Sequence, residues 1–188
     1  VSVTRQAPGG ARQKANVMGQ PRLNLSKVHC LLADRDQFTR GLIAQMLRGF
    51  GMGAIQVAAS GAQIRDLIVK DRPDVCFLEG VLPDNEASDI IAWIRKQPPP
   101  LRFIPIIVMS GYTQLRTISA ARDSGANLVV RKPVSPQMLF DRLSWVAGTQ
   151  RPFIETDNFL GPDRRFHDID PPDARFKRET DVALEKQE

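Results

Sequence analysis

Five short apolar runs that alternate with amphipathic stretches constrain this chain more than any other feature of its sequence. The runs are Val28 to Ala33, Ala54 to Ala58, Val75 to Leu78, Ile104 to Met109 and Leu128 to Val130. A strand with one wet face alternates apolar and polar residues, whereas a continuous apolar run needs cover on both faces. Between the runs, apolar residues recur at helical spacing. Phe38, Leu42, Ile43, Met46, Leu47 and Phe50 mark a first helix closed by Gly51. The second opens at Ser60 or Gly61, passes through Ile64, Leu67 and Ile68, and stops before Pro73. Ile90, Ile91, Trp93 and Ile94 mark the third, ended by Pro98-Pro99-Pro100, and Thr113 to Ser124 form the fourth, ended by Gly125. The fifth takes Ser135 as N-cap and Pro136 in its first turn, with Leu139, Leu143 and Val146 at helical spacing.

This alternation predicts an α/β fold, a (βα)5 doubly wound parallel sheet covered by helices on both faces. Right-handed crossovers then place any site at the carboxyl ends of the strands, near the point where strand order reverses. The residues so placed are Asp34, Arg35 and Asp36, then Glu79, Ser110 and Lys132. Acids, a hydroxyl and a lysine converging on one crevice suit a phosphate and a divalent metal. Carboxylates hold the ion, and the hydroxyl and ammonium contact phosphoryl oxygens.

The length of 188 residues, 42% of them hydrophobic and 25% charged, fits one globular domain with extensions. Residues 1–26 carry Arg5, Arg12, Lys14 and Arg22 without an acid, among Pro8, Gly9, Gly10, Gly19 and Pro21. They read as a basic arm, disordered alone, whose contacts with nucleic acid or acidic lipid would be weak and salt-sensitive. Residues 27–148 read as the folded unit and 149–188 as a mostly irregular tail. The tail holds ten acids against seven Lys and Arg, so the net charge of +5 comes from the arm and the core. It is too short for a winged-helix or similar DNA-reading domain. No apolar run approaches the roughly 20 residues of a membrane span, and no secretory leader is visible, so a cytoplasmic location is expected. Cys30 and Cys76 fall inside the apolar runs and read as small buried thiols, not metal ligands.

The strand-end residues and their surroundings resemble the response-regulator receiver family, the CheY-like or flavodoxin-like fold, over residues 27–148. The matching segments are Leu31-Leu32-Ala33-Asp34-Arg35-Asp36 with Arg40, Pro73-Asp74-Val75-Cys76-Phe77-Leu78-Glu79 with Pro83, Pro105-Ile106-Ile107-Val108-Met109-Ser110-Gly111, and Gly125-Ala126-Asn127 leading to Lys132-Pro133. The resemblance implies strand order 2-1-3-4-5 and a cis peptide bond at Lys132-Pro133. It also implies that Asp34 is the first acid of the family's pair, Ser110 its hydroxyl, and Lys132 the lysine that contacts the phosphoryl group. Three positions depart from the family's pattern. Glu79 stands where the phosphate-accepting aspartate belongs, Arg35 replaces the second, magnesium-binding acid, and Val129 replaces the switch aromatic.

A guanidinium beside Asp34 and Glu79 would neutralise the carboxylates and repel a divalent cation, so magnesium is expected to bind weakly. Glu79 carries one charge where a phosphoryl group carries about −1.5 to −2, and so imitates it in part at best. The expectation is an ion pair of Glu79 with Lys132 or Arg35 that holds the domain in one state, the alternative being a site simply lost. No catalytic residue, metal or cofactor follows. Output then passes through protein contacts. The face formed by the fourth helix, fifth strand and fifth helix carries Arg116, Arg122, Arg131 and Arg142 with Asp123 and Asp141, which suits an acidic signalling partner or a salt-sensitive homodimer.

Two other readings start from different residues. Asp34-Arg35-Asp36, Ser110 and Lys132 also resemble haloacid-dehalogenase-like phosphatases, but Phe38 stands where that motif has Thr or Val, and its final acidic motif is missing. In the tail, Phe159-Leu160-Gly161-Pro162-Asp163-Arg164-Arg165-Phe166 resembles the arginine-rich extensions of CheY-like proteins that bind cyclic di-GMP. There Gly161-Pro162 would turn and project Arg164 and Arg165 between Phe159 and Phe166, with Asp168 three residues after Arg165. The competing expectation is that Phe153, Ile154, Phe159 and Leu160 fold back onto the domain while the arginines form salt bridges.

Overall fold

Burial on both faces shows directly in the strands. A computed structural model describes residues 23–111, 115–148, 152–156 and 159–163. In chain order the elements are β1 (His29–Ala33), α1 (Gln37–Gly49), β2 (Ala54–Ala58), α2 (Gly61–Lys70), β3 (Val75–Glu79) and α3 (Ala87–Arg95). A 3-10 turn (Leu101–Phe103) precedes β4 (Ile106–Ser110), α4 (Leu115–Asp123), β5 (Leu128–Arg131) and α5 (Pro136–Gly148). The sheet runs β2-β1-β3-β4-β5 with every neighbouring pair parallel. Every residue of β3 and β4 is buried. Successive side chains alternate between two cores: Leu31, Cys76, Leu78, Ile106 and Val108 pack with Ile64, Ile90 and Ile94 on one side. Cys30, Leu32, Phe77, Ile107 and Met109 pack with Ile43, Leu47, Leu139 and Leu143 on the other. Each such large side chain stabilises the fold by about 1.5–3 kcal/mol when fully buried.

Local chemistry sets the helix starts. Asp36 caps α1, its Oδ1 accepting the Thr39 N–H at 2.7 Å, and Ser135 Oγ accepts the Met138 N–H of α5 at 3.2 Å. At α2 the Ser60 cap is reinforced from the β3–α3 loop, where the Asp84 carboxylate accepts the N–H groups of Gly61 at 2.7 Å and Ala62 at 2.9 Å. Those two bonds hold the Asp84 carboxyl below its usual range. The Lys132–Pro133 peptide is cis.

Some particulars depart from the sequence expectations. Leu25 is buried and its carbonyl accepts from Val28 and Gly53, so packing begins a few residues before 27. β4 starts at Ile106 because the 3-10 turn and Pro105 occupy the preceding residues. Phe38 and Leu42, counted among the apolar positions of α1, are 79% and 44% exposed, since they lie across the helix from Ile43, Ala44 and Leu47. Within the segment read as mostly irregular, β6 (Phe153–Thr156) and β7 (Phe159–Pro162) form an antiparallel hairpin. Gly161-Pro162 is therefore strand and not turn. The start of the fourth helix at Thr113 and the arm up to Arg22 lie outside the described residues. Among the described residues, no helix is long and apolar enough to cross a membrane.

Both cysteines are buried, and burial pushes each thiol up to about 12. A thiol reagent at mildly alkaline pH is therefore expected to leave the folded chain unlabelled and to titrate two thiols after denaturation in guanidinium. Rapid labelling of native protein would contradict the burial.

Candidate functional site

The register of the sheet assembles the crevice. β1 and β3 run side by side with Ala33 opposite Leu78, so Asp34 emerges beside Glu79. Ser110 ends β4 opposite Arg131 of β5, and the following Lys132 N–H donates to the Ser110 carbonyl at 2.9 Å. Asp34, Glu79, Ser110 and Lys132 thus meet at one end of three neighbouring strands and the loop after β5.

Asp34 is fully buried and Glu79 nearly so. Asp34 Oδ1 accepts the Asp36 N–H at 2.9 Å, and Oδ2 accepts Lys132 Nζ at 2.5 Å. Glu79 Oε2 accepts the Arg35 N–H at 2.8 Å. Its Oε1 lies 3.4 Å from Lys132 Nζ and 3.6 Å from Arg35 Nε. Glu79 therefore pairs with both cations expected as alternatives, while Lys132 makes its shorter contact with Asp34. Two carboxylates face two cations; three of the four carboxylate oxygens accept hydrogen bonds, and Glu79 Oε1 lies within ion-pair distance of both cations.

Asp36 stands apart from this quartet. Its side chain is exposed at the α1 cap, and hydrogen bonds from Thr39 hold its carboxyl below the usual range. Arg40 reaches back to donate Nη1 to the Asp34 carbonyl at 2.6 Å. Ser110 is buried, and Val129 packs half-buried against the core that faces α4.

Two features of the site were not singled out in the sequence. Gly80 follows Glu79 so closely along the Ser110 side chain that a Cβ there would come 2.9 Å from Ser110 Oγ. A glycine directly after a strand-end acid was the available signal. Beside the α1 cap, Phe38, Leu42, Asp36, Gln37, Gly41 and Gln45 line an open groove of about 580 Å³. Strict helical phasing from Ile43 and Leu47 would have put those apolar residues outside the core.

The donor set does not fit a divalent cation as it stands. Coordination would require Lys132 and Arg35 to withdraw from Asp34 and Glu79, and among the described residues no third acid joins that pair. Among the described residues, no cluster of three or more His, Cys, Asp or Glu could hold a metal. On the α4-β5-α5 face, Arg116 and Arg131 are exposed, whereas Arg122 and Arg142 are half-buried. In the tail, Phe159 is half-buried in β7, its ring lying against Gly161. Arg164, Arg165, Phe166, His167 and Asp168 lie outside the described residues.

Comparison with known proteins places this geometry. Residues 30–144 match the family model described as response regulator receiver domain. The transcriptional regulatory protein PdtaR of Mycobacterium tuberculosis is 28% identical over 105 residues, covering 56% of this chain and 49% of that protein. The chain thus spans about half the length of the curated relatives it matches. A putative response regulator from Chloroflexus aurantiacus superposes with a TM-score of 0.60 at 27% identity, covering 65% of this chain and all of that structure. The receiver domain of a sensor histidine kinase from Pseudomonas aeruginosa, with a magnesium ion coordinated in its active-site cleft, gives a TM-score of 0.60 at 23% identity over 65% of this chain and 98% of that one.

Removing the shared cation should be costly. Lys132→Met would leave a buried Asp34 and Glu79 facing each other with only Arg35, and is expected to lower unfolding stability in urea by about 3 kcal/mol. A change within a few tenths of a kcal/mol would mean that the ammonium does not hold the pair.

Proposed function

Because this chain belongs to the response regulator receiver family, we propose that it is a receiver of two-component signalling that acts by protein contact, independently of aspartyl phosphorylation. One observation carries the reading: Lys132 and Arg35 already neutralise the carboxylates of Asp34 and Glu79, three of whose oxygens accept hydrogen bonds while the fourth, Glu79 Oε1, lies within ion-pair distance of both cations. The Pseudomonas receiver holds magnesium in its cleft; here a guanidinium stands at the mouth instead. Glu79 is a poor acceptor without that ion, and its carboxylate is drawn toward Lys132 as a phosphoryl group would be, with less charge. The domain is then held in one state by an internal salt-bridge network.

Output falls to surfaces, with no enzymatic step of the chain's own, in the cytoplasm. Exposed Arg116 and Arg131 on the α4-β5-α5 face favour an acidic signalling partner or a second copy of the chain. A phosphatase reading finds little support, because Asp36, its required acid/base, is committed to the α1 cap. Incubation with acetyl phosphate and magnesium, read by intact mass, tests the main reading. Wild type is expected to stay unmodified, and Arg35→Asp combined with Glu79→Asp to gain one phosphoryl group. A wild-type adduct that disappears in Glu79→Gln would overturn it.

Cyclic di-GMP binding through the tail is the second reading. It is favoured by the hairpin, which fixes the chain up to Asp163, one residue before Arg164. Against it, Phe159 is engaged inside the hairpin. Titration calorimetry on the full chain and on Arg164→Ala/Arg165→Ala separates the two: nucleotide heat in wild type, lost in the double variant, would support the tail site, and no heat with either would remove it.

A further inference from the structure

The hairpin closes over the end of the sheet opposite the crevice of Asp34, Glu79 and Lys132. Because β4 and β5 are parallel, the 3-10 turn leading into β4 and the Gly125-Ala126-Asn127 turn leading into β5 lie at the far end from Glu79 and Ser110. There Arg95, the last residue of α3, is 4% exposed, and among the described residues its guanidinium meets no carboxylate. It is held by oxygens of neutral groups instead. Nε and Nη2 donate to the Gly125 carbonyl at 3.1 and 2.8 Å, and Nη1 donates to the carbonyls of Arg102 and Ile104, each at 2.8 Å. Nη2 also donates to Asn127 Oδ1 at 3.2 Å, the same oxygen that accepts the Ile106 N–H. One buried cation thus ties α3 to the approaches of both β4 and β5.

The hairpin covers this cage. The Phe153 ring stands edge-on to Phe103 with centroids 5.3 Å apart, and Arg95 Cζ lies 5.1 Å from the Phe153 centroid. Glu155 Oε1 accepts Arg102 Nη2 at 2.6 Å. On the other strand the two backbones touch: a Cβ on Gly125 would come 2.3 Å from the Leu160 carbonyl oxygen, and one on Gly161 would come 2.9 Å from Gly125 Cα. Gly125 also has φ of 102°, so its turn tolerates no ordinary side chain on either ground.

We propose that the paired strands β6 and β7 form an intramolecular strap that fixes the α4–β5 turn and thereby holds the α4-β5 face in one conformation. The strap goes beyond the function proposed above and stands whether or not Glu79 is ever modified, since it acts from the other end of the sheet. Its logic is physical. A buried guanidinium without an acid partner needs a complete cage of oxygens and a dry cover, and the hairpin supplies the cover. Loosening the cover admits water to the Gly125 carbonyl and frees the turn.

Amide hydrogen exchange on the full-length chain tests this. In Phe153→Ala, the N–H groups of Gly125, Ala126 and Asn127, which donate to Arg122, Ala121 and Ile106, are expected to exchange about tenfold faster or more. The amides of β1 and β3 are expected to keep their wild-type rates. Glu155→Arg, at an exposed position, repels Arg102 without touching the core and should raise the same three rates even if Phe153→Ala fails to fold. Wild-type rates at the turn in Glu155→Arg, or an equal rise across β1 and β3, would overturn the strap.

Discussion

The strand-end crevice depends on one ammonium. Lys132 Nζ sits between Asp34 and Glu79, and without it a fully buried carboxylate would face a second one in a poorly solvated space. Lys132 follows β5, the edge of the sheet, yet its ammonium meets Asp34 beyond the end of β1, with β4 and β3 lying between those two strands. The cluster therefore locks the strand ends together as well as balancing their charges. Arg35 adds a second cation from the solvent side, 45% exposed at its side chain, where salt screens it far more than it screens the buried pair.

The opposite end of the sheet solves a related problem with different chemistry. Arg95 is also a buried cation, but it is stabilised by carbonyl dipoles, and burial lowers its pKa only to about 10, so it stays charged at neutral pH. Carbonyl dipoles hold the charge only while their geometry is kept, whereas a carboxylate tolerates some displacement.

The parallel sheet was legible because burial on both faces leaves an unambiguous mark: Val75 to Leu78 and Ile106 to Met109 admit no polar residue, while its strand order was available only through the family resemblance. The charges at the strand ends followed from topology alone. What could not be read were choices between near-equal contacts. Whether Lys132 approaches Asp34 or Glu79 more closely depends on fractions of an ångström that composition does not encode. The hairpin was hidden for a different reason. Phe153, Ile154, Phe159 and Leu160 are too few to show a period, and Gly161-Pro162 carries a turn signal that tertiary contact with Gly125 overrides. Arg95 escaped notice because an arginine in the last turn of a helix ordinarily faces water and complements the helix dipole.

The Asp84 bonds to Gly61 and Ala62 bear on how the domain could move at all. A loop that follows a receiver's acceptor position would dissipate a local disturbance if it hung free in solvent. This one is moored to the positive end of α2, so displacement of Glu79 would pull on a helix that packs Ile64 and Ile68 into the core. The loop after Glu79 is consequently anchored on α2 as well as on the sheet, which ties the crevice to the β2–α2 flank of the molecule through a single carboxylate.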